Sequence, residues 1–326
     1  MIITRTPFRI TLGGGGTDLP SYYERYGGMV ISAAVNRYVY ISVNRTFTDD
    51  YFLKYSTLER VRRIEDIEHP LIREALLLHP VDPGIELVSV ADIPAGTGLG
   101  SSGAFTVGLL RALHTYERNH VTPANIADEA CHIEIERLAQ PVGKQDQFIA
   151  AFGGLTCFEF EPDGHVRVSP LMVSNDVLLD LEQHLMMFFT GYSRRAQEVL
   201  TDQKQRSEKS DPAMIDNLHY VKELGVRSRQ ALERGDTLAF AQIMDEHWQH
   251  KKKRSSAMSN PDIDRWYSIG LDNGALGGKL VGAGAGGFVL FYAKDQDSLR
   301  RAMSAEGLAE VRFSFDHDGS IVLVRD

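Results

Sequence analysis

Pro94-Ala95-Gly96-Thr97-Gly98-Leu99-Gly100-Ser101-Ser102 runs into the apolar stretch Ala104-Phe105-Thr106-Val107-Gly108-Leu109-Leu110. Glycines at alternate positions remove the Cβ groups that would hold an anion away from the backbone. The helix predicted after them offers unpaired N–H groups and the positive end of its dipole. The stretch therefore reads as a phosphate cradle, although a tight turn ending in a serine N-cap would use the same residues. Three common glycine loops fit less well. No Walker lysine follows. A dinucleotide-binding turn needs a strand leading straight into its glycines, whereas Ala91-Asp92-Ile93-Pro94 intervenes after the strand-like Ile85–Val90. The kinase signatures H-R-D and D-F-G are missing. What remains is a loop closed by Ser101 and Ser102, whose hydroxyls suit a phosphate-bound magnesium ion.

Upstream, Ile2 to Leu12 reads as a strand that enters Gly13-Gly14-Gly15-Gly16-Thr17-Asp18, with Arg9 just before the glycines and Asp18 just after. Four successive glycines are entropically costly unless the backbone needs unusual dihedrals or close ligand approach. Asp18 suits a pair of sugar hydroxyls or, alternatively, a helix cap. Arg37–Val43 and Tyr51–Tyr55 predict a hairpin, residues 70–79 a helix and 85–90 a strand, and the helix after the serines extends to about Arg118. Thr122-Pro123 opens a further helix to about Ala139, on which Glu134 and Glu136 point in different directions. Pro141-Val142-Gly143-Lys144-Gln145-Asp146-Gln147 then gathers a cation, an amide and a carboxylate at a turn. Asp146 is the candidate catalytic carboxylate, with a helix cap as its ordinary alternative.

Downstream, strands are expected at 156–160 and 166–168 around Glu161-Pro162-Asp163-Gly164, a turn that divides the chain into domains of residues 1–165 and 166–326. A strand at 185–189 leads to Arg194 and Arg195, which could grip a phosphate or open the polar helix 197–209. Two or three helices fill 212–250. The following Lys251-Lys252-Lys253-Arg254 reads first as a solvated face and second as a source of one lysine for an anionic ligand. His247 and His250 have metal spacing without a third ligand. A second glycine loop, Gly282-Ala283-Gly284-Ala285-Gly286-Gly287, sits between strand-like runs; a helix at 297–305 and strands at 311–315 and 321–324 complete the pattern.

The chain has 326 residues, 43% of them hydrophobic, enough for two cores. A net charge of -9 argues against a nucleic-acid partner. Cys131 and Cys157 lie in apolar contexts and read as reduced thiols. With no signal-peptide pattern at Met1–Thr6 and no apolar run of membrane-spanning length, the expectation is a soluble cytoplasmic protein with no membrane partner.

Three glycine loops in this order resemble the motifs of the GHMP kinase superfamily over nearly the whole chain. Arg5-Thr6-Pro7-Phe8-Arg9-Ile10 with Gly13–Pro20, and Gly143-Lys144-Gln145-Asp146-Gln147 with Ala150–Gly154, are similar to the branch of heptose 7-phosphate kinases and L-fucokinases. The resemblance implies an α+β fold, with an N-terminal domain like ribosomal protein S5 domain 2 and a ferredoxin-like C-terminal domain. It implies ATP at Pro94, Gly96, Thr97, Gly98, Leu99, Gly100, Ser101 and Ser102. It puts magnesium on Ser102 and Glu134, and catalysis on Asp146 and Arg9. The phosphorylated heptose would then meet Gly14, Gly15, Gly16, Thr17, Asp18, Lys144, Gln145, Arg194 and Gly284. Galactokinases carry Glu-His where this chain has Gly15-Gly16, a difference that opens space for a larger or phosphorylated sugar. A fucose-type acceptor and a non-catalytic sensor on the same fold stay open, as does a homodimer.

Overall fold

The computed structural model describes residues 1–191, 196–255, 257–284 and 286–325. In chain order the first part comprises β1 (Ile2–Gly13), α1 (Pro20–Tyr26), β2 (Gly28–Arg45), β3 (Tyr51–Lys54), β4 (Leu58–Val61), α2 (Pro70–Leu78), β5 (Ile85–Ala91), α3 (Ser101–Tyr116), α4 (Pro123–Cys131), α5 (Gln145–Phe152), β6 (Leu155–Phe160) and β7 (Val166–Pro170). There follow α6 (Asn175–His184), β8 (Leu185–Gly191), α7 (Ala196–Glu208), α8 (Pro212–Glu233), α9 (Thr237–Lys252), α10 (Pro261–Asp272), β9 (Ala275–Leu280), β10 (Gly287–Ala293), α11 (Gln296–Ala305), β11 (Ala309–Glu310) and β12 (Ile321–Arg325).

β2 is the spine of the larger sheet. On one edge it pairs antiparallel with β1, from Ile2↔Val43 to Gly13↔Ile31. Its other edge is shared, the C-terminal half pairing with β5 and the N-terminal half with β6. Residues 28–35 of β2 are buried without alternation, as a strand covered on both faces must be, and α3, α5 and α8 all pack on it. β7 extends this sheet past residue 165 and β12 rejoins it beside β1. The smaller sheet, ordered β11-β8-β10-β9, is antiparallel throughout. One hydrophobic cluster runs from Ile10 and Val30 of the larger sheet to Phe240 and Phe288 of the second part. Another gathers Trp248, Tyr267 and Phe291 beside the smaller sheet.

Several local expectations change. The predicted hairpin of residues 37–43 with 51–55 does not form. β5 takes the place beside β2, and β3 lies parallel to β5 across the crossover that α2 provides. The helix opened by Thr122, whose hydroxyl accepts from Asn125 N at 3.2 Å, becomes a π-helix over His132–Arg137 and stops short of Ala139. The strand expected at 311–315 does not form: β11 ends before it at Glu310, and Phe315 makes only a bridge to Val35. α6 and α10 are additional helices, capped by Ser174 and Asn260. Cys131 and Cys157 are both buried and unpaired with each other. Among the described residues no helix is long and apolar enough to cross a membrane.

Candidate active site

The three glycine loops meet around one cleft of about 750 Å³. The first wall is the loop before α3. Gly96, Gly98 and Gly100 take φ values of 79°, 86° and 75°, a region that side chains disfavour, and Gly96, Gly98, Gly100, Ser101 and Ser102 line the cleft. Thr97 and Leu99 alternate with them and point inward to be fully buried, while Pro94 is exposed outside the lining. Of the expected nucleotide residues, Pro94, Thr97 and Leu99 therefore shape the loop and leave the lining to their neighbours. A Cβ on Gly98 would lie 2.7 Å from Val281 O, so the loop before α3 touches the backbone where β9 enters the C-terminal glycine loop.

Asp146 sits in the first turn of α5, packed against the end of that loop at Gly100 and Gly103. Arg9, projecting from β1, holds it with two parallel bonds, Nε to Oδ1 at 2.7 Å and Nη2 to Oδ2 at 3.0 Å, and donates from Nη1 to Gly98 O at 2.6 Å. This bidentate geometry fixes the carboxylate plane. Asp146 remains about a quarter open to the cleft, its side chain 23% exposed. The approach depends on two glycines: a Cβ on Gly100 would stand 3.1 Å from Asp146 Cγ, and one on Gly103 would stand 2.8 Å from Asp146 Cβ.

Asp18 lines the same cleft although 2% exposed, and accepts from Gly16 N at 3.0 Å and Gln145 N at 3.2 Å. Burial, reinforced by the charge of Asp146, raises its pKa, and the two amides oppose that rise. Gln145 braces the loop further, its Oε1 accepting from Thr11 Oγ1 at 2.8 Å and Ser32 Oγ at 2.9 Å. Gly143 has no room for a Cβ, which would run into the Asp18 carboxylate.

On the π-helix Glu134 lies fully inside, whereas Glu136 stays exposed and bonds His132 at 2.7 Å. Glu134 Oε1 accepts from Gln147 Nε2 at 3.0 Å, and among the described residues its buried Oε2 has no hydrogen-bond partner of ordinary geometry. Burial lifts this carboxyl to about 7, with the Gln147 amide and the nearby Ser102 hydroxyl pulling the other way. Glu134 itself does not line the cleft, but its buried carboxylate beside the Ser102 and Thr106 hydroxyls at the start of α3 offers oxygen donors that suit a hard cation.

Other expected contacts fall elsewhere. Gly14 and Thr17 do not line the cleft. Thr17 Oγ1 donates toward Gly14 O (2.9 Å) and Met29 O (3.0 Å), and Gly14 lies against Met29 and against Gly225 of α8, so both residues build the loop from behind. Gly15 and Gly16 do face the cleft. Lys144 turns away to donate to Gly164 O at 2.7 Å, with its ammonium over the Tyr23 ring. Gly284 packs against Met258, and Gly282 and Ala283 form the lining there. Arg194 and Arg195 lie outside the described residues.

The solvated reading of residues 251–254 is overturned for two of the four. Lys251 and Arg254 are buried and line the cleft with His247 and Lys279, while His250 stacks on Tyr220 with ring centroids 4.0 Å apart. The spacing held the signal: positions 247, 251 and 254 follow i, i+4, i+7 and share one helical face.

The family model for the GHMP kinases N terminal domain matches residues 61–154, and that for the GHMP kinases C terminal domain matches residues 228–308. The chain is 30% identical to D-glycero-alpha-D-manno-heptose 7-phosphate kinase of Campylobacter jejuni, covering 98% of this chain and 97% of that one. It is 26% identical to the bifunctional fucokinase/GDP-fucose pyrophosphorylase of Arabidopsis thaliana, over 90% of this chain and 30% of that protein. The crystal structure of a D-glycero-D-manno-heptose 1-phosphate kinase from Bacteroides thetaiotaomicron superposes with a TM-score of 0.82 at 25% identity, covering 100% of both chains. The chain thus belongs to the GHMP kinases, phosphotransferases that move a phosphoryl group from ATP to an alcohol.

Proposed function

We propose that the enzyme transfers the γ-phosphoryl group of ATP to the anomeric hydroxyl of D-glycero-D-manno-heptose 7-phosphate, giving the 1,7-bisphosphate for a nucleotide-activated heptose route. The observation that carries this reading is Asp146, clamped by Arg9 against the glycine loop before α3 and open to the cleft that this loop lines. The full-length similarity to a heptose 7-phosphate kinase supports the acceptor.

In this mechanism the backbone of Gly96–Gly100 and the N-terminus of α3 cradle the triphosphate. Ser102 and Glu134 would hold magnesium, which supplies charge neutralisation at the β and γ phosphates when bound. Asp18 accepts hydrogen bonds from sugar hydroxyls. Asp146 orients the attacking hydroxyl and takes its proton, and Arg9 keeps the carboxylate aimed and offsets negative charge as the bond forms. Replacing Asp146 by Asn tests the assignment. The variant should fold normally and lose ~10²–10⁴-fold in turnover; near-normal ADP release would remove Asp146 from the chemistry.

A further inference from the structure

A second wall of the cleft carries four buried basic side chains, and the one acid whose charge is felt among them is Asp18, which acts on Arg254 without forming an ion pair among the described residues. His247 and Lys251 come from α9, Arg254 from the turn after it and Lys279 from β9, and none is more than 8% exposed. Among the described residues none of them makes an ion pair. Lys279 Nζ donates to Leu12 O at 3.2 Å and stands 3.4 Å from His247 Nδ1. Lys251 Nζ donates to Leu280 O at 3.2 Å and to Gly282 O. Arg254 donates to Asn217 Oδ1 (2.8 Å), Gly15 O (3.1 Å) and Gln203 Oε1 (3.4 Å). His247 Nε2, buried, has no hydrogen-bond partner among the described residues.

Neutral carbonyls satisfy donors but do not neutralise charge, and buried unpaired cations are costly. Burial, and then the cations' mutual repulsion, pushes Lys279 down to about 7 and Lys251 and His247 well below their ordinary ranges. Burial likewise lowers Arg254 to about 10, against the pull of Asp18. Arg9, the other buried cation of the cleft, has Asp146 for its partner. A doubly charged anion entering among the four would remove the imbalance.

We propose that Lys251, Arg254, Lys279 and His247 form the site for a phosphate monoester already carried by the acceptor sugar, separate from the loop that takes the ATP phosphates. Their position favours the acceptor. Arg254 packs against Gly16 and holds Gly15 O, and Gln203, which contacts Arg254, donates to Gly16 O at 2.9 Å. These are the residues that lead to Asp18. The inference rests on the kinase reading for the identity of the acceptor; anion binding itself does not need it.

Two measurements on Lys251→Met, Arg254→Met and Lys279→Met test it. The first is the melting temperature with and without inorganic phosphate. Without ligand, the Met variants should melt at or above the wild-type temperature, because a buried basic group whose charged form the fold disfavours is gone, and they should lose most of the rise that phosphate produces in the wild type. The second is the ratio of kcat/KM for heptose 7-phosphate to that for the unphosphorylated heptose. It should fall ~10²-fold, chiefly through KM, with KM for ATP moving less than ~3-fold; Lys279→Arg should recover part of the ratio. An unchanged ratio, or a KM for ATP that rises as far as that for the sugar, overturns the proposal. So do Met variants that melt lower and keep the full response to phosphate, since the cations would then only tie down carbonyls. If the wild type releases no ADP with any sugar, the kinase reading fails, and the phosphate-dependent melting shift still decides the site.

Discussion

The two walls of the cleft present positive charge by different means. The wall before α3 uses backbone: three glycines with positive φ and the start of a helix, with its one buried side-chain cation, Arg9, already paired to Asp146. The second wall uses four basic side chains from α9, its following turn and β9, none of them paired with an acid among the described residues. Backbone amides are permanent partial charges and cost little to keep without a ligand. Buried ammonium and guanidinium groups are costly until an anion arrives. The first wall thus suits a ligand needed in every turnover and common to the family, and the second a group that distinguishes one acceptor from another.

Substitutions can sharpen or break that contrast. The largest effect belongs to the junction between the walls, where Asp146→Asn should lower kcat ~10²–10⁴-fold with little change in the KM for either substrate. Next is Glu134, whose carboxyl is held at about 7 instead of 4.5. The fold favours its protonated form, so its stabilising contribution is present below about pH 4.5 and is lost as pH rises through about 7. The difference corresponds to ~3 kcal/mol. Ligand-free Glu134→Gln should lose that slope and exceed the wild type in stability at pH 8 by denaturant titration, while its magnesium-dependent turnover collapses. A wild-type stability flat between pH 5 and 8 would show that the buried oxygen already has a partner. Gly143→Ala drives a methyl group toward the Asp18 carboxylate, and should raise the acceptor KM ~10-fold or more with the ATP KM nearly constant. The smallest effect is expected for Lys144→Met, which removes a contact to Gly164 O outside the cleft; a shift above ~2-fold in the acceptor KM would return Lys144 to the site.

Legibility followed the same division. A sharp backbone loop with positive φ needs its glycines close together in sequence, so the loop Gly96–Gly100 before α3 could be read directly. The choice of Glu134 over Glu136 depended on family spacing; the structure buries Glu134 and leaves Glu136 in solvent, as two residues on different helical faces must be. The cation wall is assembled from distant elements, and a run of four basic residues looks solvated until its helical phase is followed back to His247. The insertion of β5 between β2 and β3 was invisible for a similar reason, because strand pairing is set by tertiary packing and local residue choice identifies only the strands. α6 and α10 had readable starts in Ser174-Asn175 and Asn260-Pro261, and their caps accept from Val177 N at 3.3 Å and Ile263 N at 2.9 Å.

The central claim is that the two walls hold phosphate groups of different substrates. Magnesium-dependent ADP release, measured with ATP and either D-glycero-D-manno-heptose 7-phosphate or the unphosphorylated heptose, tests it most directly. The account predicts a kcat/KM ~10²-fold or more in favour of the phosphorylated sugar; equal use of both, or preference for the plain heptose or L-fucose, would contradict it.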